Sequence, residues 1–230
     1  MNGAQLATFV EELNGGASIG ATLLTQLLNM AKAVVEQQRP WMILRATDTS
    51  KTVTASTNGW QTAIDLSTIA RFNRFCGDEP VKVFDGNNRI DHYRYAPLNK
   101  RLEFREAAYT FVFNESTKQL YLNGTVSAGT LWIDHIKDSP DLTLEDSSTW
   151  VFPSWSHSLL GFYAVAIHKG GVDYDEINAR MTQDNRAMAA TLMNRLEMWD
   201  GEKQLAAQEQ YDPSRNDTGG FRPGSINMDS

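Results

Sequence analysis

The chain has 230 residues, 41% of them hydrophobic and 21% charged, which suits a globular protein with a sizeable core in one large domain or two small ones. Its 21 Lys and Arg against 28 Asp and Glu give a formal charge of −7, which argues against a protein whose main task is gripping phosphate backbones. A single cysteine, Cys76, excludes an internal disulfide and a Cys-based zinc site and fits a reducing compartment.

The N-terminus lacks the basic flank and apolar run of a signal peptide, and no stretch approaches the roughly 18 uninterrupted apolar residues of a membrane span. The expected setting is the cytosol. Asn-x-Ser/Thr at Asn114, Asn123 and Asn216 therefore reads as chance. Residues 4–13, "AQLATFVEEL", predict a short helix that stops at Asn14-Gly15-Gly16. A second helix follows from Ala21, with Ser18 as its expected cap. Leu23, Leu24, Leu27, Leu28, Ala31, Val34 and Val35 form its apolar stripe, and Arg39-Pro40 closes it.

"WMILRATDTSKTVTASTNGW", 41–60, is rich in Thr and Val and predicts strands near 42–46 and 51–56. "TAIDLSTIARFNRF" suggests a short helical turn, and "PLNKRLEFREAA" has the residue types of a short helix. "VKVFD", "RIDHYRY", "YTFVFN", "QLYLN" and "TLWIDHIK" carry strand patterns separated by Gly, Asn and Pro. Within these, "LYLNGTVSAGTLWIDHI", 120–136, reads as two strands folded about a Gly/Ser-rich turn.

After the loop "DLTLEDSSTWVFPS" the pattern returns to helix. "WSHSLLGFYAVAIHKGG" has too broad an apolar surface for an exposed helix and is expected to be buried. Gly170-Gly171 ends it, and Asp173 is the expected cap of a long helix from near Tyr174 to about Gln208. In that helix Ile177, Met181, Met188, Leu192, Leu196 and Trp199 recur at steps of three, four or seven, while Glu176, Arg180, Arg186, Arg195 and Glu197 point outward. The last twenty residues, "YDPSRNDTGGFRPGSINMDS", lose all periodicity. Tyr211, Phe221, Ile226 and Met228 in them are isolated apolar anchors for a partner.

Catalytic signatures are sparse: the sequence has no phosphate-cradling glycine loop, no nucleophile elbow and no His-Glu-x-x-His. Asp-His occurs twice, at Asp91-His92 and Asp134-His135, each in a predicted strand. Neighbouring strand residues face opposite ways, so a metal-dependent enzyme, the alternative function, would have to assemble its site across strands from these four. His157 and His168, eleven residues apart, lie about 16 Å from each other on a helix and cannot share an ion. Cys76 has acidic neighbours that disfavour its thiolate. Trp132, Trp150, Trp155 and Trp199 read as core or interface material. No cofactor and no metal site is assigned.

The order of the pieces is the strongest clue. An apolar helix ending in "RPW", a Thr-rich sheet region, the 120–136 segment, "WVFPSWSHSLLGFYAVAIHKGG" and the long "YDEINARMTQDNRAMAATLMNRLEMW" helix together resemble the head-to-tail connector (adaptor) proteins of tailed bacteriophages over residues 18–210. That resemblance implies an α+β fold: a helical bundle with an N-terminal helix and a long C-terminal helix pair, embedding a central β-rich domain. Its parts are the N-terminal helices at 1–40, the β-rich insert at 41–148, the helix pair at 149–210 and an extended tail at 211–230.

The implied function is structural, not enzymatic. A ring, usually of twelve copies, sits in the virion neck between portal and tail, after assembly in the host cytoplasm. It extends the double-stranded DNA channel used in genome ejection and offers a platform to the tail or nozzle protein. Ile177, Met181, Met188, Leu192 and Trp199 are the candidate subunit interface, and Tyr211, Phe221, Ile226 and Met228 the candidate portal contacts. Twelve copies at −7 would carry about −80, which would keep DNA from sticking to the channel wall.

Overall fold

In the computed structural model the described residues are 1–56, 59–87, 89–104, 108–171 and 176–210. The first helix, α1 (Gly3–Leu13), begins with a capping box: the Asn2 side chain accepts from the Gln5 backbone N–H, and the Gln5 side chain accepts from that of Asn2. It ends at Asn14, where Gly15 and Gly16 take the positive φ that the turn requires. The second helix, α2 (Ala21–Gln38), has Gly20 at its N-cap and no side-chain cap. Ser18 does not cap it, because its hydroxyl is bonded to Glu11 instead. Leu24, Leu27, Leu28, Ala31 and Val35 face the core, whereas Leu23 lies on the rim and is exposed.

The β region departs from its sequence pattern in four places. Residues 42–44 form a 3-10 turn, and one nine-residue strand, β1 (Arg45–Val53), replaces the two expected strands, with an irregularity between Asp48 and Lys51. The stretch 62–75 is not a helical turn; it makes β2 (Ile64–Asp65) and β3 (Phe72–Phe75). Ile64, Leu66, Ile69, Phe72 and Phe75 find more contact on a pleated surface than a single helical turn would give them. The stretch 97–104 forms only a 3-10 turn at Leu98–Lys100 and a further turn, where the sequence predicts a short helix over 97–108, of which 105–107 lie outside the described residues. The strands β4 (Val81–Phe84), β5 (Ile90–Tyr95), β6 (Thr110–Asn114), β7 (Gln119–Asn123) and β8 (Gly129–Lys137) lie where the alternation puts them.

The fourth departure concerns 120–136. β7 and β8 are consecutive strands but do not pair with each other. β7 pairs with β6 and β2, whereas β8 pairs with β1, β3 and β4. The path runs β1-β8-β4-β5-β6-β7-β2, antiparallel except for the short β5–β6 pairing; the Ser56–Val126 bridge extends the β1–β8 ladder, and the Trp60–Asn123 bridge joins the same segment to β7, so the sheet curls until its ends nearly meet. The Gly/Ser-rich stretch therefore carries the chain around the curl rather than reversing it. Val81, Val83, Tyr93, Phe111, Leu120, Leu122, Leu131 and Ile133 fill the interior, because alternate residues of each strand face the same side.

A second core belongs to the helices. α3 (Ser158–Gly171) packs against α1, α2 and α4 (Glu176–Gln210). Leu159, Leu160, Ala164 and Val165 are its buried centre, and Gly161 is a close approach where a Cβ would run into the Phe9 ring. Trp41, Leu44, Ile136, Leu142, Trp150 and Phe152 join this same core. The fold of the described residues is thus α+β, with four helices on one core and a nearly closed sheet on the other.

The loop after β8 is fastened to α2 by buried polar groups. Lys32 Nζ donates to the carbonyls of Ser139 (3.2 Å) and Pro140 (3.1 Å) and to Asp141 (2.8 Å). One turn on, the buried Glu36 carboxylate accepts from the Ser139 amide (3.3 Å), the Ser139 hydroxyl and the Trp150 indole (2.9 Å). A buried carboxylate is tolerated here because its lone pairs are met by donors.

Candidate functional site on the long helix

The 35 residues of α4 extend about 52 Å at 1.5 Å per residue. Thr182, Asn185, Ala189, Met193, Leu196 and Asp200 recur at steps of three or four and form its buried seam. Asp200 is fully enclosed and pins the helix to the start of the sheet region. It accepts from the Met42 amide at 2.7 Å, pairs with Arg39 at 3.3 Å and accepts from the Gln204 amide at 2.8 Å. The expected start of this helix near Tyr174 and its Asp173 cap lie outside the described residues.

Ile177, Met181, Met188, Leu192 and Trp199 form a different stripe. At about 100° per residue they stay within some 60° of one another and about a quarter turn from the buried seam. Ile177 is 71% and Met188 55% exposed, whereas Met181, Leu192 and Trp199 are half-buried at the seam's edge. The Arg195 guanidinium stacks on Trp155, 4.5 Å from the ring centre, and borders the stripe. Met198 and Leu205 are exposed on yet another side. The described residues leave this apolar flank open, and covering such a flank removes hydrocarbon from water.

The four Asp and His of the two Asp-His pairs occupy opposite sides of the sheet, as strand alternation dictates. Asp134 and His92 face outward and line an open depression of about 720 Å³ with Cys76, Glu79, Lys82 and Arg94. There Asp134 accepts from Thr47 and from Lys82, each at 2.6 Å, and His92 Nδ1 lies 2.9 Å from Glu79. Lys82 thus pairs with Asp134, and Arg94, 3.7 Å away, with Glu79. Asp91 turns inward and is bound by Arg89 at 2.9 Å. Buried His135 turns its Nδ1 to the Ile133 carbonyl at 3.1 Å and lies against Phe72. Burial first, then the Asp91 charge, pushes the neighbouring Tyr93 phenol well above its ordinary range, so it stays protonated. Three depressions around them are each lined by two of the four, and among the described residues no group of three or more His, Cys, Asp or Glu could hold a metal ion.

His157 is buried before α3, with Nε2 2.8 Å from the Phe152 carbonyl and Nδ1 2.7 Å from that of Met1, while His168 sits on the last turn of α3. Tyr211, Phe221, Ile226 and Met228 lie outside the described residues. Sequence reasoning missed Glu79 as the partner of His92 and Lys82 as that of Asp134. Their one available signal was the acidic run before β4 and the outward parity of Lys82 beside Val81 and Val83. Among the described residues no helix is long and apolar enough to cross a membrane. Compared with known proteins, the chain matches no family model and no curated protein.

Proposed function

We propose that the chain is a structural adaptor of a phage neck: identical copies form a ring, of twelve in the usual pattern, between the portal and the tail or nozzle protein, with the DNA channel through its centre. The observation that carries this reading is the open apolar flank of α4, where Ile177 and Met188 stand exposed beside Met181, Leu192 and Trp199. A ring of identical chains needs two unlike faces that fit each other, and a long helix with one face spent on its own core and another left apolar supplies the first. In this reading the helices form the bundle of the adaptor, the sheet region is its tail-side part, and Tyr211, Phe221, Ile226 and Met228 reach the portal. DNA passes without specific contacts, as the net charge of −7 per copy favours. Chemistry is not part of the role, and the setting is the host cytoplasm during assembly and the virion afterwards.

Native mass measurement of the chain alone and mixed with portal rings, followed by electron microscopy of the mixture, tests this. The expected result is a closed ring seated on the portal, with removal of residues 211–230 weakening the docking. A chain that stays monomeric in the presence of portal rings would overturn the proposal.

A further inference from the structure

A polar concavity of about 570 Å³ lies between the end of α3 and the first turns of α4, lined among others by Lys169, Gly170, Arg180, Thr182 and Arg186. Gly170 leaves it open: a Cβ there would sit 4.0 Å from the Arg186 guanidinium and 4.0 Å from the Thr182 methyl. Lys169 and Arg186 have no ion-pair partner among the described residues, and Arg180 has only a 4.0 Å contact with Asp184, both exposed. The negative end of the α3 dipole is equivalent to about half a charge, so among the described residues these three cations are not fully compensated. Burial first, and then the charge of Lys169, hold the adjacent His168 imidazole below its ordinary range, in keeping with a positive local field.

Thr182 supplies an independent observation. It is 9% exposed and its hydroxyl has no hydrogen-bond partner among the described residues. Three other helical threonines satisfy theirs on the carbonyl four residues back: Thr8 on Ala4, Thr25 on Ala21 and Thr191 on Ala187. Thr182 does not, although a buried hydroxyl left unpaired costs about 1–3 kcal/mol. We propose that this concavity binds an oxyanion, a phosphate ester or a carboxylate. Lys169 and Arg186 supply the charge, and the Thr182 hydroxyl donates to the ligand after rotation about its Cα–Cβ bond. Guanidinium and ammonium groups with a hydroxyl beside them form a donor set that fits such an oxygen cluster.

The site lies within one chain, so its test does not depend on ring formation, and it can fail while the adaptor reading stands. The full chain is titrated with inorganic phosphate and, separately, with acetate, at constant ionic strength set with sodium chloride, following backbone amide shifts of Gly170 and Thr182. Asp173 and Asp175 lie outside the described residues, so both titrations are repeated on the Asp173→Asn/Asp175→Asn chain, in which no intramolecular carboxylate from these positions competes. Saturable shifts in either background are expected, weakened about tenfold by Arg186→Gln or Lys169→Gln and about threefold by Thr182→Val. Thr182→Val is nearly isosteric and should keep or raise the melting temperature, which separates lost binding from lost folding. Preference for phosphate identifies a phosphate ester as the natural ligand, and preference for acetate a carboxylate. Shifts that fail to saturate in both backgrounds, or that survive Arg186→Gln and Lys169→Gln unchanged, would overturn the inference.

Discussion

α3 and α4 are neighbours in sequence and pack on each other, yet they use their apolar residues in opposite ways. α3 is enclosed by α1, α2 and α4, and Leu159, Leu160, Ala164 and Val165 vanish from solvent. α4 holds on through a seam that mixes Ala189, Met193 and Leu196 with Thr182, Asn185 and Asp200, and leaves Ile177 and Met188 in the open. A helix can therefore be firmly docked and still display hydrocarbon, if small and hydrogen-bonding side chains make the intramolecular seam. Among the described residues the apolar flank of α4 stays uncovered.

The widest break in that contrast is a pair of truncations. Leu160→Ala should destabilise the isolated chain by about 3 kcal/mol, from lost transfer energy and the cavity it leaves. Met188→Ala should change the stability of the same chain by no more than about 0.5 kcal/mol, while weakening self-association. Denaturant melts of the two variants, with light scattering of the second, check this; equal losses of stability would erase the distinction between the helices. Asp200→Ala sharpens the account of the seam. It strips the Met42 amide and Arg39 of their shared carboxylate and should cost about 2 kcal/mol, read from the same melts, although no hydrocarbon is removed from the core.

The smallest effect concerns pH at the junction of the two helices. The folded chain holds the His168 imidazole below its ordinary range, through burial and then Lys169. As pH falls, the unfolded imidazole takes up its proton first. The contribution is therefore fully present above the unfolded pKa and is lost as pH drops through it toward the lower folded value. His168→Gln should flatten the stability profile between roughly pH 7 and pH 5, measured by melting temperature; an unchanged slope would show that His168 does not contribute.

How much of this was legible in the sequence varies with the length of the pattern. α1, α2 and α3 follow from runs that repeat at helical spacing for two turns or more, and β4 to β8 from alternation bounded by Gly, Asn and Pro. The 62–75 stretch fails because two- and four-residue strands carry no period, and only pairing with β7 and β8 fixes them. Pairing is also what the 120–136 segment conceals: strand content can be read locally, but the partners of β8 lie far back in the chain, as in Phe84 with Thr130 and Arg45 with Ile136. On α4 the apolar residues were visible while the seam was not, because a search for hydrocarbon passes over Ala189, Asn185 and Asp200. Lys32 and Glu36 escaped for the reverse reason, since long charged residues inside an apolar stripe look like errors of phase until their partners at 139–150 are known.

The position of α3 has a consequence for synthesis. Its packing partners α1 and α2 leave the ribosome first, but Ser158, where α3 begins, is encoded 120 residues after Gln38, where α2 ends. At about 5–20 residues per second the nascent chain waits on the order of ten seconds with Leu6, Val10, Leu24 and Leu28 lacking their final cover. The helical half is thus completed late although it starts early, and for that interval a holding chaperone has its best opportunity to bind.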